Sequence, residues 1–280
     1  MSVGMVLEGG GMRGLYTAGV LDTLMNEKIK VNGMVTVSAG ALFGINYASG
    51  QHGRALRYNK TYLKDKRYMG MRHLLRTGDI INKEFAYYTV PYSLDVFDEQ
   101  SFKKSEIDFY ATVTNMETGK AEYKQITDPF SQMETLRASG SMPFVSKPVD
   151  LEGTPYLDGG VADSIPYQKA SELGYDKKIV ILTRPLDYRK TKPNNFLIDK
   201  WYKKYPQFKE TLKQRYSNYN ETVEKIIEDD QSKESFVIRP SVTIPIKRLE
   251  RDPDKLQMMY DLGVKDTIAR LDELKDYIYA

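Results

Sequence analysis

The sequence predicts an α/β fold with a mainly parallel central sheet. Three observations predict it. A strand–turn–helix unit occurs twice within the first fifty residues. Further strand-like runs follow at Asp108–Asn115, Ala121–Ile126 and Lys178–Thr183. The chain has 280 residues, 41% hydrophobic and 28% charged, long and mixed enough to bury a sizeable core.

Each element has a local reason. Gly4–Glu8 reads as a short buried strand closed by a glycine turn. From Met12 the spacing of Leu15, Val20, Leu21 and Leu24 predicts an amphipathic helix. Met34–Val37 is a second buried strand, and Ala39–Ser49, rich in small residues, a second helix. Asp108–Asn115 and Ala121–Ile126 read as a strand pair joined by Glu117-Thr118-Gly119. Ser131 followed by Glu134 has the spacing of a capping box and announces a helix to Ser139. Lys178–Thr183 is another buried strand, and Asp254–Tyr279 is helical. No repeat or low-complexity linker marks a boundary. Residues 1–185 are expected to form the core, and 186–280 a helical C-terminal extension packed on the same domain.

Composition removes several chemistries. Zero cysteine excludes disulfides, thiolate nucleophiles and thiolate metal sites, and two histidines, His52 and His73, make a His-built metal site improbable. A formal charge of +3 is too mild to argue for nucleic acid. The stretch Val31–Gln51 carries no charge, but its Asn, Ser, Thr and Gly content fits a buried strand and helix rather than a bilayer span. With no secretory signal in the opening residues, a cytoplasmic location is expected. Two segments are locally basic. Arg54–Arg76 has eight Lys/Arg and one acid; Tyr188–Tyr219 has nine and two, with Trp and Tyr interleaved; both balance to +7. They suit either a solvated face or peripheral contact with an anionic membrane surface.

Three motifs carry chemistry. Gly9-Gly10-Gly11-Met12-Arg13-Gly14 follows a strand and opens a helix, an arrangement that holds either a dinucleotide pyrophosphate or an oxyanion on backbone N–H groups. No Asp or Glu lies between Lys28 and Ser49 to take a ribose, which weighs against the dinucleotide. Thr36-Val37-Ser38-Ala39-Gly40 is a strand-to-helix turn that exposes a serine, either a nucleophile elbow or a plain helix cap. Ala39 and Gly40 let strand and helix approach, whereas β-branched Thr36 stands where the elbow pattern has Gly. Both histidines precede the later acids, so the Ser–acid–His order of an α/β-hydrolase is excluded. Tyr156-Leu157-Asp158-Gly159-Gly160 offers an acid at a strand end, and Asp163 is a nearby alternative without flanking glycines.

Together these motifs resemble the patatin-like phospholipases, whose pattern is a GGGxRG loop, a GxSxG elbow and an Asp-Gly-Gly/Ala turn in that order. Ala138–Phe144 is also similar to the family's Ser-rich, Pro-containing segment. The resemblance runs from about Val3 to Leu182, is closest to bacterial members, and finds no motif beyond Pro185. It implies a three-layer α/β/α sandwich and a serine acyl-ester hydrolase acting on lipid esters. It implies Ser38 as nucleophile and Asp158 as base, with Gly9, Gly10, Gly11, Arg13 and Gly14 around the oxyanion hole. Thr36, Ala39, Gly40, Gly159 and Gly160 support the two turns. Such a dyad needs no metal and no cofactor. A carboxyl with an ordinary pKa of about 3.9 is a poor base, and burial would raise it. The Thr36 side chain is expected to face the turn and to slow or narrow the site. Two other classes stay open: a weak or inactive relative that binds acyl lipid, and a nucleotide-binding protein in which Ser38 is a cap.

Overall fold

The structure is a computed structural model and describes residues 1–279. β1 (Val3–Leu7) leads through a tight 3-10 turn, Gly11–Gly14, into α1 (Leu15–Asn26), and β2 (Gly33–Val37) turns at once into α2 (Ala39–Ala48). An insertion follows: α3 (Arg54–Tyr62), α4 (Met71–Thr77), a π-helical stretch Glu84–Leu94 and α5 (Glu99–Lys104). Next come β3 (Asp108–Asn115), β4 (Ala121–Ile126), α6 (Met133–Ser139), β5 (Val149–Leu151), β6 (Thr154–Asp158), α7 (Tyr167–Glu172) and β7 (Lys177–Ile181). The C-terminal third holds α8 (Asn195–Trp201), α9 (Pro206–Gln231), β8 (Phe236–Ile238), α10 (Pro253–Ala269) and α11 (Leu271–Tyr279).

One sheet of eight strands organises the molecule, in the order β5-β6-β3-β2-β1-β7-β8 with β4 also on β3. The five strands from β3 to β8 run parallel; β4, β5 and β6 are antiparallel additions. The period of two sorts strand residues into two layers. Met5, Leu7, Met34, Ile179 and Phe236 enter one core with α1, α2 and α10. Val6, Val35, Val180 and Val237 enter another with α7 and α9. Because both faces are covered, the parallel strands read as unbroken apolar runs.

Four expectations need correction or extension. α1 is not amphipathic: every residue from Leu15 to Leu24 is buried, because the sheet covers one side and α10 the other. The two helices cross at paired glycines. A Cβ on Gly19 would strike the Tyr260 carbonyl, and one on Gly263 the Tyr16 carbonyl, so neither position admits a side chain. Polar residues at this interface are paired across it: Tyr260 donates to Asp22 at 2.7 Å and Tyr16 to Asp266 at 3.1 Å.

The capping box does not form. Ser131 Oγ donates to the Asp128 carbonyl at 3.1 Å, while Glu134 accepts from Arg137 and Tyr88. Residues 186–280 are mainly helical but also supply β8 to the sheet; Ala280 lies outside the described residues. In the Arg54–Arg76 segment, Arg54 is buried, donating to Asn46 at 2.8 Å and pairing with Asp95 at 3.2 Å, so it is not a surface charge. Val31–Gln51 forms β2 and α2, and no helix among the described residues is long and apolar enough to cross a membrane.

Candidate active site

Sheet register brings Ser38 and Asp158 together. Val37 pairs with Thr112 across β2 and β3, and Val113 pairs with Asp158 across β3 and β6. The residue after β2 and the last residue of β6 therefore meet at one end of the sheet, 120 positions apart in sequence. Ser38 Oγ donates to Asp158 Oδ2 at 2.7 Å, with the two residues 7% and 5% exposed.

The turn at Ser38 is strained, with φ 56° and ψ −125°, a conformation rare for a residue bearing a side chain. Surrounding contacts hold it. The Ser38 amide donates to Ser139 Oγ at 2.9 Å, and its carbonyl accepts from the Ala41 and Leu42 amides at 3.0 and 3.1 Å. Gly40 lets α2 sit on β1, since a Cβ there would lie 2.7 Å from the Leu7 carbonyl oxygen. Ala39 packs against Gly14. Thr36 does not face the turn. Its side chain is fully buried and its hydroxyl donates to the Tyr110 carbonyl of β3 at 2.7 Å, leaving the elbow clear.

Asp158 is fixed at both ends. Its amide donates to the Ser141 carbonyl at 2.8 Å, its carbonyl accepts from Thr114 Oγ1 at 2.9 Å, and Oδ1 accepts from the Gly160 amide at 2.7 Å. Gly159 lies against the Thr112 carbonyl, where a Cβ would not fit. Burial pushes the carboxyl above its ordinary value; the Arg215 charge, the Ser38 hydroxyl and the Gly160 amide oppose the rise. Asp163 is no rival. Its carboxylate accepts from Tyr123 at 2.8 Å and from the Ile165 amide at 3.2 Å.

The glycine loop lies over the serine. A Cβ on Gly9 would come within 3.0 Å of Ser38 Cβ. Gly11 adopts φ 58°, and a Cβ there would meet the Arg248 carbonyl, which accepts from the Met12 amide at 2.9 Å. The Gly9 amide reaches the Ser164 carbonyl at 3.4 Å. Among the described residues the Gly10 and Gly11 amides have no protein acceptor. Gly9, Gly10, Gly11 and Arg13 share a cavity wall with Ser38 and Asp158, whereas Gly14 packs beneath Ala39 and Phe43 instead.

Two cavities meet at Ser38. One is apolar, walled by Leu42, Phe43, Tyr87, Val90 and Leu136. The other is polar, walled by the glycine loop, Asp158, Arg184, Lys190, Arg215 and Arg248. Sequence reasoning missed all four of these cations and Ser139. Lys190 and Arg215 belong to the basic Tyr188–Tyr219 segment, so the signal was present, but counting charges does not separate inward from outward ones. His52 is exposed, His73 is half-buried, and neither lines these cavities.

A family model described as patatin-like phospholipase matches residues 5–171, more than half of the chain, and a domain of unknown function (DUF6363) matches residues 205–279. The chain is 30% identical over 193 residues to the uncharacterized protein YjjU of Escherichia coli (strain K12), covering 65% of this chain and 52% of that protein. It is 28% identical over 186 residues to lysophospholipase nte1 of Aspergillus niger, covering 62% of this chain and 11% of that protein. VipD from Legionella pneumophila aligns in structure with a TM-score of 0.45 and 14% identity, over 97% of this chain and 67% of that chain. The chain thus spans about half the length of the first relative and about a tenth of the second. Since the family match runs from β1 into α7 and takes in all three motifs, the chain belongs to the patatin-like phospholipase family.

Proposed function

We propose that the protein is a serine hydrolase of lipid acyl esters, of phospholipase A, lysophospholipase or esterase type, working through an acyl-enzyme on Ser38. The observation that carries this reading is the 2.7 Å bond from Ser38 Oγ to a buried carboxylate, at the junction of an apolar and a polar cavity. The apolar cavity suits an acyl chain and the polar one its alcohol.

In the proposed mechanism Ser38 Oγ attacks the ester carbonyl as its proton passes to Asp158. The carbonyl oxygen becomes an oxyanion facing the Gly10 and Gly11 amides; one such donor is typically worth roughly 3–4 kcal/mol. Collapse breaks the ester C–O bond, and Asp158 returns the proton to the leaving alcohol. Water then attacks the acyl-enzyme, giving a proton to Asp158. That proton goes back to Ser38 as the carboxylic acid departs. Burial, by raising the carboxyl, makes Asp158 a stronger base than an exposed aspartate. The lysophospholipase name of one relative supports a lipid ester as substrate. Activity at a membrane surface is supported by α8, which exposes Phe196, Leu197 and Trp201 among exposed Lys192, Lys200, Lys203 and Lys204.

The test is labelling with a fluorophosphonate, which requires base and oxyanion site together, with the modified peptide mapped by mass spectrometry. Label on Ser38 that is lost in Asp158→Asn is the expected result. A folded protein that takes no label at Ser38 is instead a lipid-binding relative.

A further inference from the structure

Five cations, Arg13, Arg184, Lys190, Arg215 and Arg248, line the polar cavity beside Ser38, against two carboxylates, Glu8 and Asp158. None of the five forms an ion pair within 4.0 Å among the described residues. Their partners are neutral. Lys190 Nζ donates to Ser164 Oγ at 2.7 Å and stands 3.7 Å from the Tyr219 ring centre. Arg184 lies over Tyr188, and Arg215 Nε donates to the Gly160 carbonyl. Arg13 is buried and its Nε has no hydrogen-bond partner among the described residues. The two carboxylates are meanwhile occupied by neutral donors: Glu8 by the Thr183 amide at 2.6 Å, Asp158 by Ser38 and Gly160.

Unpaired cations crowded into a partly buried cavity are unfavourable unless something negative joins them. The strain shows in their basicity. Burial first, and neighbouring guanidinium groups second, lower Arg13 and Arg215 to about 10 and bring Lys190 well down. A purely structural cluster would place acids between the bases, as Asp95 does for Arg54 and Arg57 elsewhere in the molecule. The cavity also shares Gly11, Ser38, Met142 and Arg248 with the apolar one. A lipid with its chain in the first and its head in the second therefore has its ester at Ser38.

We propose that Lys190, Arg215 and Arg248 form a subsite for the phosphate of an anionic lipid headgroup, so that the enzyme prefers net-anionic phospholipid esters to zwitterionic and neutral ones. This rests on the hydrolase reading of Ser38. All three residues lie outside residues 5–171, two of them within 205–279, which gives the C-terminal third the choice of headgroup. A phosphocholine head brings the same phosphate but adds a trimethylammonium to a cavity whose five cations and two carboxylates stay net positive after the phosphate binds, and is disfavoured.

Short-chain esters presented as monomers remove any contribution from surface charge. The kinetic arm compares dihexanoyl phosphatidylglycerol, dihexanoyl phosphatidylcholine and dihexanoylglycerol. The anionic ester is expected to lead in kcat/KM by about tenfold or more, and Arg248→Gln and Lys190→Met to collapse that ratio towards one. Equal or faster turnover of the zwitterionic ester, or a ratio unmoved by both substitutions, overturns the subsite. The binding arm titrates Ser38→Ala with glycerol 3-phosphate and with inorganic phosphate by calorimetry. Saturable glycerol 3-phosphate binding that either substitution removes supports the subsite. Inorganic phosphate binding without a headgroup preference makes it a site for free phosphate and overturns the lipid assignment. If no ester is hydrolysed, the hydrolase reading alone fails, and the glycerol 3-phosphate titration still decides the subsite.

Discussion

Asp158→Asn exchanges one carboxylate oxygen for an amide and leaves the shape of the site alone. The remaining Oδ1 still accepts from the Gly160 amide, and the backbone bonds to Ser141 and Thr114 are untouched. The bond to Ser38, 2.7 Å long, changes sense: an amide N–H now points at Oγ, and the serine proton has no acceptor. Neither histidine lines the site to take over. Loss of a positioned base lowers rates by about 10²–10⁴, or roughly 3–5 kcal/mol in the barrier. The upper end is expected here because in the proposed mechanism the same carboxylate serves both half-reactions.

Stability should move the other way. Burial raises the Asp158 carboxyl, so its favourable contribution is complete below the unfolded value and lost as pH rises through the folded one. At pH 7 the wild type carries the penalty of a buried carboxyl raised above its unfolded value, which the amide lacks. The variant is therefore expected to melt at or above the wild-type temperature at pH 7, with the difference shrinking on acidification. Hydrolysis of a p-nitrophenyl ester and thermal melts at pH 5 and 7 read both effects. Turnover within tenfold of wild type would refute the base assignment, and a melting point well below wild type at pH 7 would refute the burial argument.

Three further predictions follow from the same contacts. The acid limb of kcat/KM against pH should have its midpoint above the ordinary carboxylate value of about 3.9, and Arg215→Met should move it higher, since that guanidinium holds the carboxyl down; a limb at or below the ordinary value contradicts this. Thr36→Gly, which restores the usual elbow residue, should lower stability by about 1–2 kcal/mol in urea melts through loss of the bond to Tyr110, with kcat changed by less than about threefold. A large gain in kcat would mean that Thr36 obstructs the elbow after all. Trp201 is the only tryptophan and is 63% exposed, so its fluorescence should shift to the blue with phosphatidylglycerol vesicles, less so in high salt and not with phosphatidylcholine vesicles. No shift with either vesicle removes α8 as the membrane face.

What the sequence made legible follows from the range of the forces involved. β1, β2, β3, β4 and β7 were readable because burial and turn chemistry write a local pattern within a few residues. β8 is three residues long and has no pattern to read. The stretch Glu84–Leu94 holds Pro91 inside a helix, a combination that local preference argues against and only packing allows. In α1 the leucine spacing revealed one buried face. It gave no sign that Asp22 was buried too, because its partners are the Gly53 amide and Tyr260 on α10. The Ser38–Asp158 pair was legible because each sits in its own short motif. The cations around it come from separate segments between Arg13 and Arg248, and only the fold assembles them.

The crossing at Gly19 and Gly263 has a kinetic consequence. Its hydrogen bonds span 238 and 250 positions, and contacts of such long range slow folding. At synthesis rates of about 5–20 residues per second, α1 waits on the order of ten to fifty seconds before α10 is made. During that interval its glycine face has no cover, and Asp22 lacks the Tyr260 hydroxyl. The Arg248 carbonyl that holds the Met12 amide arrives in the same late stretch. A nascent chain thus completes the loop over Ser38 only once the stretch that carries Arg248 and α10 has docked.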